Sequence, residues 1–218
     1  TDPDNWTVPT PIYRNDASLL NGNKQLAATA SGGVGMSLDM TYFQDADGRS
    51  YYAWQQLGAT YIAKMDPKDP AHVTSSPVRI VTPEYAWNAA IAEGPNVTLR
   101  DGKLYLMFSG SGVGKTYTTG LAVADAAGSD LTDPASWTAL NYPIQKSGPF
   151  NGEMQLGTGH GMWSEDEDGN QVYVFHAYAT KNLGSVNATG RDMFVRRVHW
   201  AADGMPVFDM SSSEELAS

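Results

Sequence analysis

The stretch Ala92-Glu93-Gly94-Pro95-Asn96-Val97-Thr98-Leu99-Arg100-Asp101-Gly102-Lys103-Leu104-Tyr105-Leu106-Met107-Phe108 decides the fold. It reads as a strand, an Asp-Gly turn and a second strand, because Gly102 accepts the positive φ that a tight hairpin demands. Glu93 stands beside a Gly-Pro bend where the first strand begins. That puts its carboxylate at the mouth of a sheet rather than on its face. The same unit occurs twice more. Residues 37–43, Asp47-Gly48 and 51–54 form one copy; residues 160–164, Asp168-Gly169 and 172–176 form the other. Repeats of one supersecondary unit bury a shared core and build one central pocket from equivalent positions.

A third strand follows in each unit, at residues 60–63, 120–124 and 194–198. A fourth is expected at 78–81, 137–140 and 206–208. Four strands per unit, with no amphipathic helix between units, predict an all-β fold: a β-propeller of four-stranded blades. The expected organisation is one partial propeller domain over 1–218. It comprises a blade end and linker at 1–35, blades at 36–82, 83–144 and 145–210, and a tail at 211–218. A second repeat sharpens this. Thr1-Asp2-Pro3-Asp4-Asn5-Trp6-Thr7 recurs as Thr132-Asp133-Pro134-Ala135-Ser136-Trp137-Thr138, between the third and fourth strands of its unit. By that analogy the chain starts near the end of a blade. The expectation is an incomplete propeller, its other blades supplied by an upstream segment or a second chain, because open sheet edges are a liability that soluble proteins avoid.

Composition narrows the partners. The 218 residues carry a net charge of -10, which makes nucleic acid and anionic membrane poor partners. There is no cysteine, so disulfides and thiolate metal sites are excluded. No apolar run approaches a membrane span. The first residues lack a basic and apolar signal pattern, which leaves secretion and the cytoplasm both open. Gly110-Ser111-Gly112-Val113-Gly114-Lys115-Thr116 lacks the spacing of a phosphate loop. Glu165-Asp166-Glu167-Asp168 reads as a solvated hairpin tip.

Asp39 and Glu93 are the candidate catalytic pair. Each belongs to the innermost strand of its unit, where two carboxylates converge as sugar hydrolysis requires. The bland alternatives are a turn aspartate and a solvated loop glutamate. His160, in Gly157-Thr158-Gly159-His160-Gly161, sits where glycines let backbone approach a ligand or ion closely; the alternative is a hydrogen-bonded structural histidine. Trp87 and Trp54 are candidate sugar-stacking surfaces, with core packing as the alternative. Arg191, just before a strand, can donate bidentate hydrogen bonds to a ligand.

These residues, taken in order, resemble the C-terminal three blades of glycoside hydrolase family 43, most of all its α-L-arabinofuranosidases. Ser37-Leu38-Asp39-Met40-Thr41 with Tyr52-Ala53-Trp54 is similar to the blade of the pKa-modulating aspartate. Pro83-Glu84-Tyr85-Ala86-Trp87 with Glu93-Gly94-Pro95 is similar to the blade of the general acid. Gly157-Thr158-Gly159-His160 is similar to the channel histidine motif, and Gly190-Arg191 with residues 200–206 to the closing blade. The resemblance implies a five-bladed propeller and inverting hydrolysis of terminal arabinofuranosyl or xylosyl groups. Glu93 would be the general acid, and Asp39 would stay ionised beside it and raise its pKa. The base would be an aspartate on a blade absent from this chain. No cofactor is required; a structural calcium ion near His160, reached through water, is implied. Asn88 departs from the pattern, since many relatives carry Glu there, and the segment from Trp87 to Glu93 is short.

Overall fold

The structure, a computed structural model, describes residues 3–8, 10–20, 37–179 and 190–215. Much of the expected linker at 1–35 lies outside these residues. The regular structure of the described residues is nearly all strand, with short 3-10 turns and one four-residue helix at Ser212–Glu215. The first sheet holds β1 (Ser37–Gln44), β2 (Ser50–Gln56), β3 (Ala59–Asp66), β4 (Asp69–Val73) and β5 (Val78–Val81). It runs β1-β2-β3 as an antiparallel meander, and β4 and β5 both pair with β3 along its outer side. The second sheet is β6 (Ala92–Arg100), β7 (Lys103–Gly110), β8 (Thr118–Asp125) and β9 (Thr138–Ala139), in that order. The third is β10 (Gly148–Phe150), β11 (Glu153–Glu165), β12 (Gln171–Tyr178) and β13 (Asp192–Arg197).

These sheets stack as consecutive propeller blades, and strand β7 shows why. Its side chains alternate between faces. Leu104, Leu106 and Phe108 enter a core shared with Phe43, Tyr51, Ile62 and Val81 of the first sheet. Tyr105 and Met107 enter a second core with Trp163, Tyr173, Phe175 and Phe208 on the other side. A strand buried on both faces reads as an unbroken apolar run, as residues 104–108 do. The outer face of the first sheet carries Trp54, Ala63 and Val73, covered by Ile12 and Leu20.

The turns refine the Asp-Gly signal. Asp101-Gly102 is a two-residue hairpin with φ of 47° and 76°, closed by the Arg100 and Lys103 pair. The other two are longer loops organised by an earlier aspartate. Asp45 Oδ1 accepts from the backbone N–H of Asp47 and Arg49, and Asp166 Oδ1 does the same for Asp168 and Asn170. Asx-type bonding of this kind is what favours Asp in turns. Residues 165–168 lie, as expected, at an exposed hairpin tip, and Asp166 organises its turn. The Asp-Pro repeat also folds alike in both copies, as short 3-10 turns at Pro3–Asn5 and Pro134–Ser136.

One expected strand pairs differently. Residues 206–208 do not add a fourth strand to the third sheet. Instead β14 (His199–Trp200) and β15 (Pro206–Val207) form their own small ladder, closed by a turn in which Gly204 N–H donates to Ala201 O. Pro206 lacks the N–H needed to extend a second ladder, and Phe208 is drawn into the core beside Tyr173. The fourth strand of that sheet is β10, which pairs with the first residues of β11 through the Asn151-Gly152 turn.

Candidate active site

Each blade breaks its innermost strand at one place, and the candidate residues lie at those breaks. In β1 the register with β2 shifts between Leu38 and Thr41, and Asp39 there has φ of 56°. In β6 it shifts between Glu93 and Asn96, with Gly94 at φ of 60°. In β11 it shifts on both sides of Gly159, and His160 has φ of 50°. A bulge re-aims a side chain that would otherwise lie flat on the sheet. Left-handed backbone at non-glycine residues is costly and collects where function needs it.

The breaks converge. Gly94 N–H donates to Asp39 Oδ2 at 3.2 Å, joining the first two blades. His160 Nε2 lies 3.7 Å from Asp39 Oδ1. The imidazole lies flat against Gly94, where an added Cβ would stand only 3.3 Å from His160 Cε1. Tyr117 Oη donates to Glu93 Oε1 at 2.6 Å and lies 3.1 Å from His160 Nδ1. Because its O–H is directed to Glu93, the hydroxyl oxygen is left to accept from His160 Nδ1–H. The His160 backbone N–H donates to buried Ser109 Oγ at 2.6 Å, which locks the third blade's break to β7.

A layer of rings supports this cluster. His176 stacks on Tyr117 with centroids 5.5 Å apart and on His160 with centroids 6.2 Å apart. Arg191 Nη1 lies 2.9 Å from His176 Nε2 and donates to it. Burial, the Arg191 charge and the neighbouring His160 push His176 down to about 4, so it is neutral at pH 7. Burial first, then the adjacent Glu93 carboxylate, hold the Tyr117 phenol far above its ordinary range.

The structure thus brings together Asp39, Glu93, His160 and, through His176, Arg191. It does not bring Trp54 there: the indole is fully buried, stacked on Tyr61, and donates to Gln56 Oε1. Trp87 lies outside the carboxylate cluster, stacked on Phe108 with its Nε1–H donated to Asn141 O at 3.1 Å. The glycine spacing around His160 serves packing at one point, because the ring of Tyr117 occupies the space a Gly159 Cβ would need. Tyr117, His176 and Ser109 were not legible as site residues. His176 had one available signal, its place opposite Gly159 in the β11–β12 register. Among the described residues no three His, Asp or Glu side chains converge to hold a metal ion. Calcium takes oxygen ligands, so His160 reaches such an ion only through water.

Residues 23–206 match the family model described as glycosyl hydrolases family 43. The extracellular exo-α-(1→5)-L-arabinofuranosidase of Streptomyces avermitilis is 32% identical over 185 positions, covering 79% of this chain and 37% of that protein. The α-L-arabinofuranosidase 43 of Humicola insolens is 31% identical over 186 positions, with the same coverage of 79% and 37%. The crystal structure of an α-L-arabinofuranosidase from Lactobacillus brevis superposes with a TM-score of 0.71 at 29% identity, covering 79% of this chain and 55% of that one. The chain therefore spans 37% of the length of these two curated relatives.

Proposed function

This chain belongs to family 43 of the glycosyl hydrolases, and from that premise we propose that it carries the acid side of a site that releases terminal arabinofuranosyl, or xylosyl, residues from plant polysaccharides and oligosaccharides with inversion. The observation that carries this reading is the meeting of the Asp39 and Glu93 strand breaks, where Asp39 Oδ2 accepts from the N–H of Gly94, the residue next to Glu93. Glu93, protonated, gives its proton to the leaving oxygen as the glycosidic bond breaks. Water adds to the anomeric carbon from the opposite face, and its proton goes to a carboxylate base. Inverting pairs stand ~6.5–9.5 Å apart to admit that water. Among the described residues the cluster's carboxylates are Asp39 and Glu93, both with other roles, and under this reading the base lies on polypeptide outside the cluster, on further blades or a second chain. Asp39, on the adjacent blade and bonded to the Gly94 N–H next to the acid, is the proposed modulator. A calcium ion held through water on His160 is compatible with this reading and enters none of its steps. The names of the curated relatives favour arabinose over xylose.

The test is hydrolysis of an aryl α-L-arabinofuranoside and of arabino-oligosaccharides, with proton NMR reading the anomer first released. Glu93→Gln is expected to lower turnover by about 10²–10⁴-fold with an unchanged melting curve. Equal turnover in the variant overturns the assignment. A second reading is a sugar-binding unit without turnover, in which Asp39 and Glu93, the carboxylates of the cluster among the described residues, hold sugar hydroxyls. Calorimetric titration with arabino-oligosaccharides beside the turnover assay separates the two, since binding without release of sugar selects the second.

A further inference from the structure

A groove of about 540 Å³ lies beside the carboxylate cluster, lined by Trp87, Ser111, Lys115, Thr116, Thr118 and Lys146 among others. Its relation to the cluster follows from alternation along the chain. Tyr117 turns inward to Glu93, while its neighbours Thr116 and Thr118 line the groove. The groove is thus the other side of the wall that holds the acid. Trp87 forms an aromatic side of it. The indole packs over Gly110 and Gly120, where added Cβ atoms would stand 2.8 and 2.6 Å from ring carbons, and its N–H is committed to Asn141.

The charge of this groove runs against the rest of the molecule. The chain carries a net charge of -10, yet among the described residues no carboxylate lines the groove and two lysines do. Lys64 and Lys103, by contrast, are paired with Asp130 and Asp125, and Lys68 sits apart on an exposed turn. Among the described residues Lys115 and Lys146 have no such partner. Ser111 and Thr116 hydroxyls, 2.9 Å apart, add donors at the same wall. An aromatic face, hydroxyl donors and paired cations without a counter-charge fit a sugar ring that bears a carboxylate.

We propose that this groove is a subsite for a uronic-acid unit of the substrate chain, with its ring against Trp87 and its carboxylate between Lys115 and Lys146. The proposal rests on the hydrolase reading and names the substrate class of that site: acidic, uronate-decorated pentose polymers rather than neutral ones.

The experiment compares calorimetric affinity for three probes of equal length: a neutral arabino-oligosaccharide, one carrying glucuronate and one carrying galacturonate. Each is titrated into the chain and into its Lys115→Gln/Lys146→Gln variant, at low and at high salt. Two exposed ion pairs are expected to make an acidic probe bind roughly five-fold tighter than the neutral one. The advantage should vanish in the variant and shrink with salt, while neutral binding stays equal in both proteins. Which acidic probe is preferred identifies the decoration. Neutral binding with no acidic advantage, or an advantage that survives the double substitution, overturns the proposal and leaves the hydrolase reading intact. Acidic binding without neutral binding, lost in the variant, upholds the proposal; if the acidic probe is then bound but not cleaved in the turnover assay, the hydrolase reading falls and the cationic groove stands. No binding by any probe overturns both.

Discussion

The Tyr117 hydroxyl donates to Glu93 Oε1 at 2.6 Å and lies 3.1 Å from His160 Nδ1, so one phenol ties the innermost strands of two adjacent blades. Its ring is held by the stack on His176 and by the space left at Gly159. The proposed acid therefore does not hang free at the sheet mouth. It is oriented by a side chain that packing has already immobilised.

Tyr117→Phe keeps the ring and deletes both bonds. A neutral hydrogen bond contributes ~0.5–1.5 kcal/mol, so turnover is expected to fall about two- to ten-fold. The His176 stack and the fold should persist. Steady-state kinetics beside a thermal melt check this, and unchanged kinetics would mean that Glu93 is positioned by something else.

His176 makes stability depend on acid pH. Its folded pKa is depressed from 6.5 to about 4, because burial and Arg191 oppose a charge and a proton on Nε2 would break the bond from Arg191. Below pH 6.5 the unfolded chain takes up a proton that the folded chain refuses. Stability therefore rises with pH between about 4 and 6.5 and contributes no further slope above. His176→Phe retains the stack and should flatten that slope in melting curves recorded across the window. A slope identical to wild type would assign it to other groups.

Gly94→Ala strains the point where the three breaks meet. The residue has φ of +60°, and a Cβ would press on His160 at 3.3 Å. Left-handed backbone costs an alanine ~1–2 kcal/mol, and the ring must shift as well. We expect a lower melting temperature and a displaced His160 ring resonance by NMR. An unmoved resonance would show that the imidazole does not rest on this glycine.

The two tryptophans should separate cleanly. Trp54→Ala empties a fully buried site, at ~3–5 kcal/mol of stability, and should leave oligosaccharide affinity unchanged when measured well below the melt. Trp87→Ala should cost less stability and weaken oligosaccharide binding. The reverse pattern in paired denaturation and titration experiments would exchange their roles.

Much of this was readable in one dimension because the signals are local. The run at residues 104–108 announces a strand buried on both faces, and Asp101-Gly102 announces its turn. Asp39, Glu93 and His160 were legible because each occupies the same position in its repeat. What failed was non-local. Residues 206–208 look like a strand but carry no information about which edge they meet, and a proline together with a nearby turn at Gly204 decided it. Trp54 and Trp87 look alike in sequence, and only the cover of Ile12 and Leu20 separates them.

The amino-acid order by itself therefore determined the repeat, the strand period and the equivalence of three innermost positions, since period and turn chemistry act over a few residues. The tertiary structure alone decided that Asp39 meets the Gly94 N–H, that Tyr117 reaches Glu93 and that His176 is squeezed neutral beside Arg191. Those contacts join residues far apart in the chain, through bulges whose direction depends on how the blades pack.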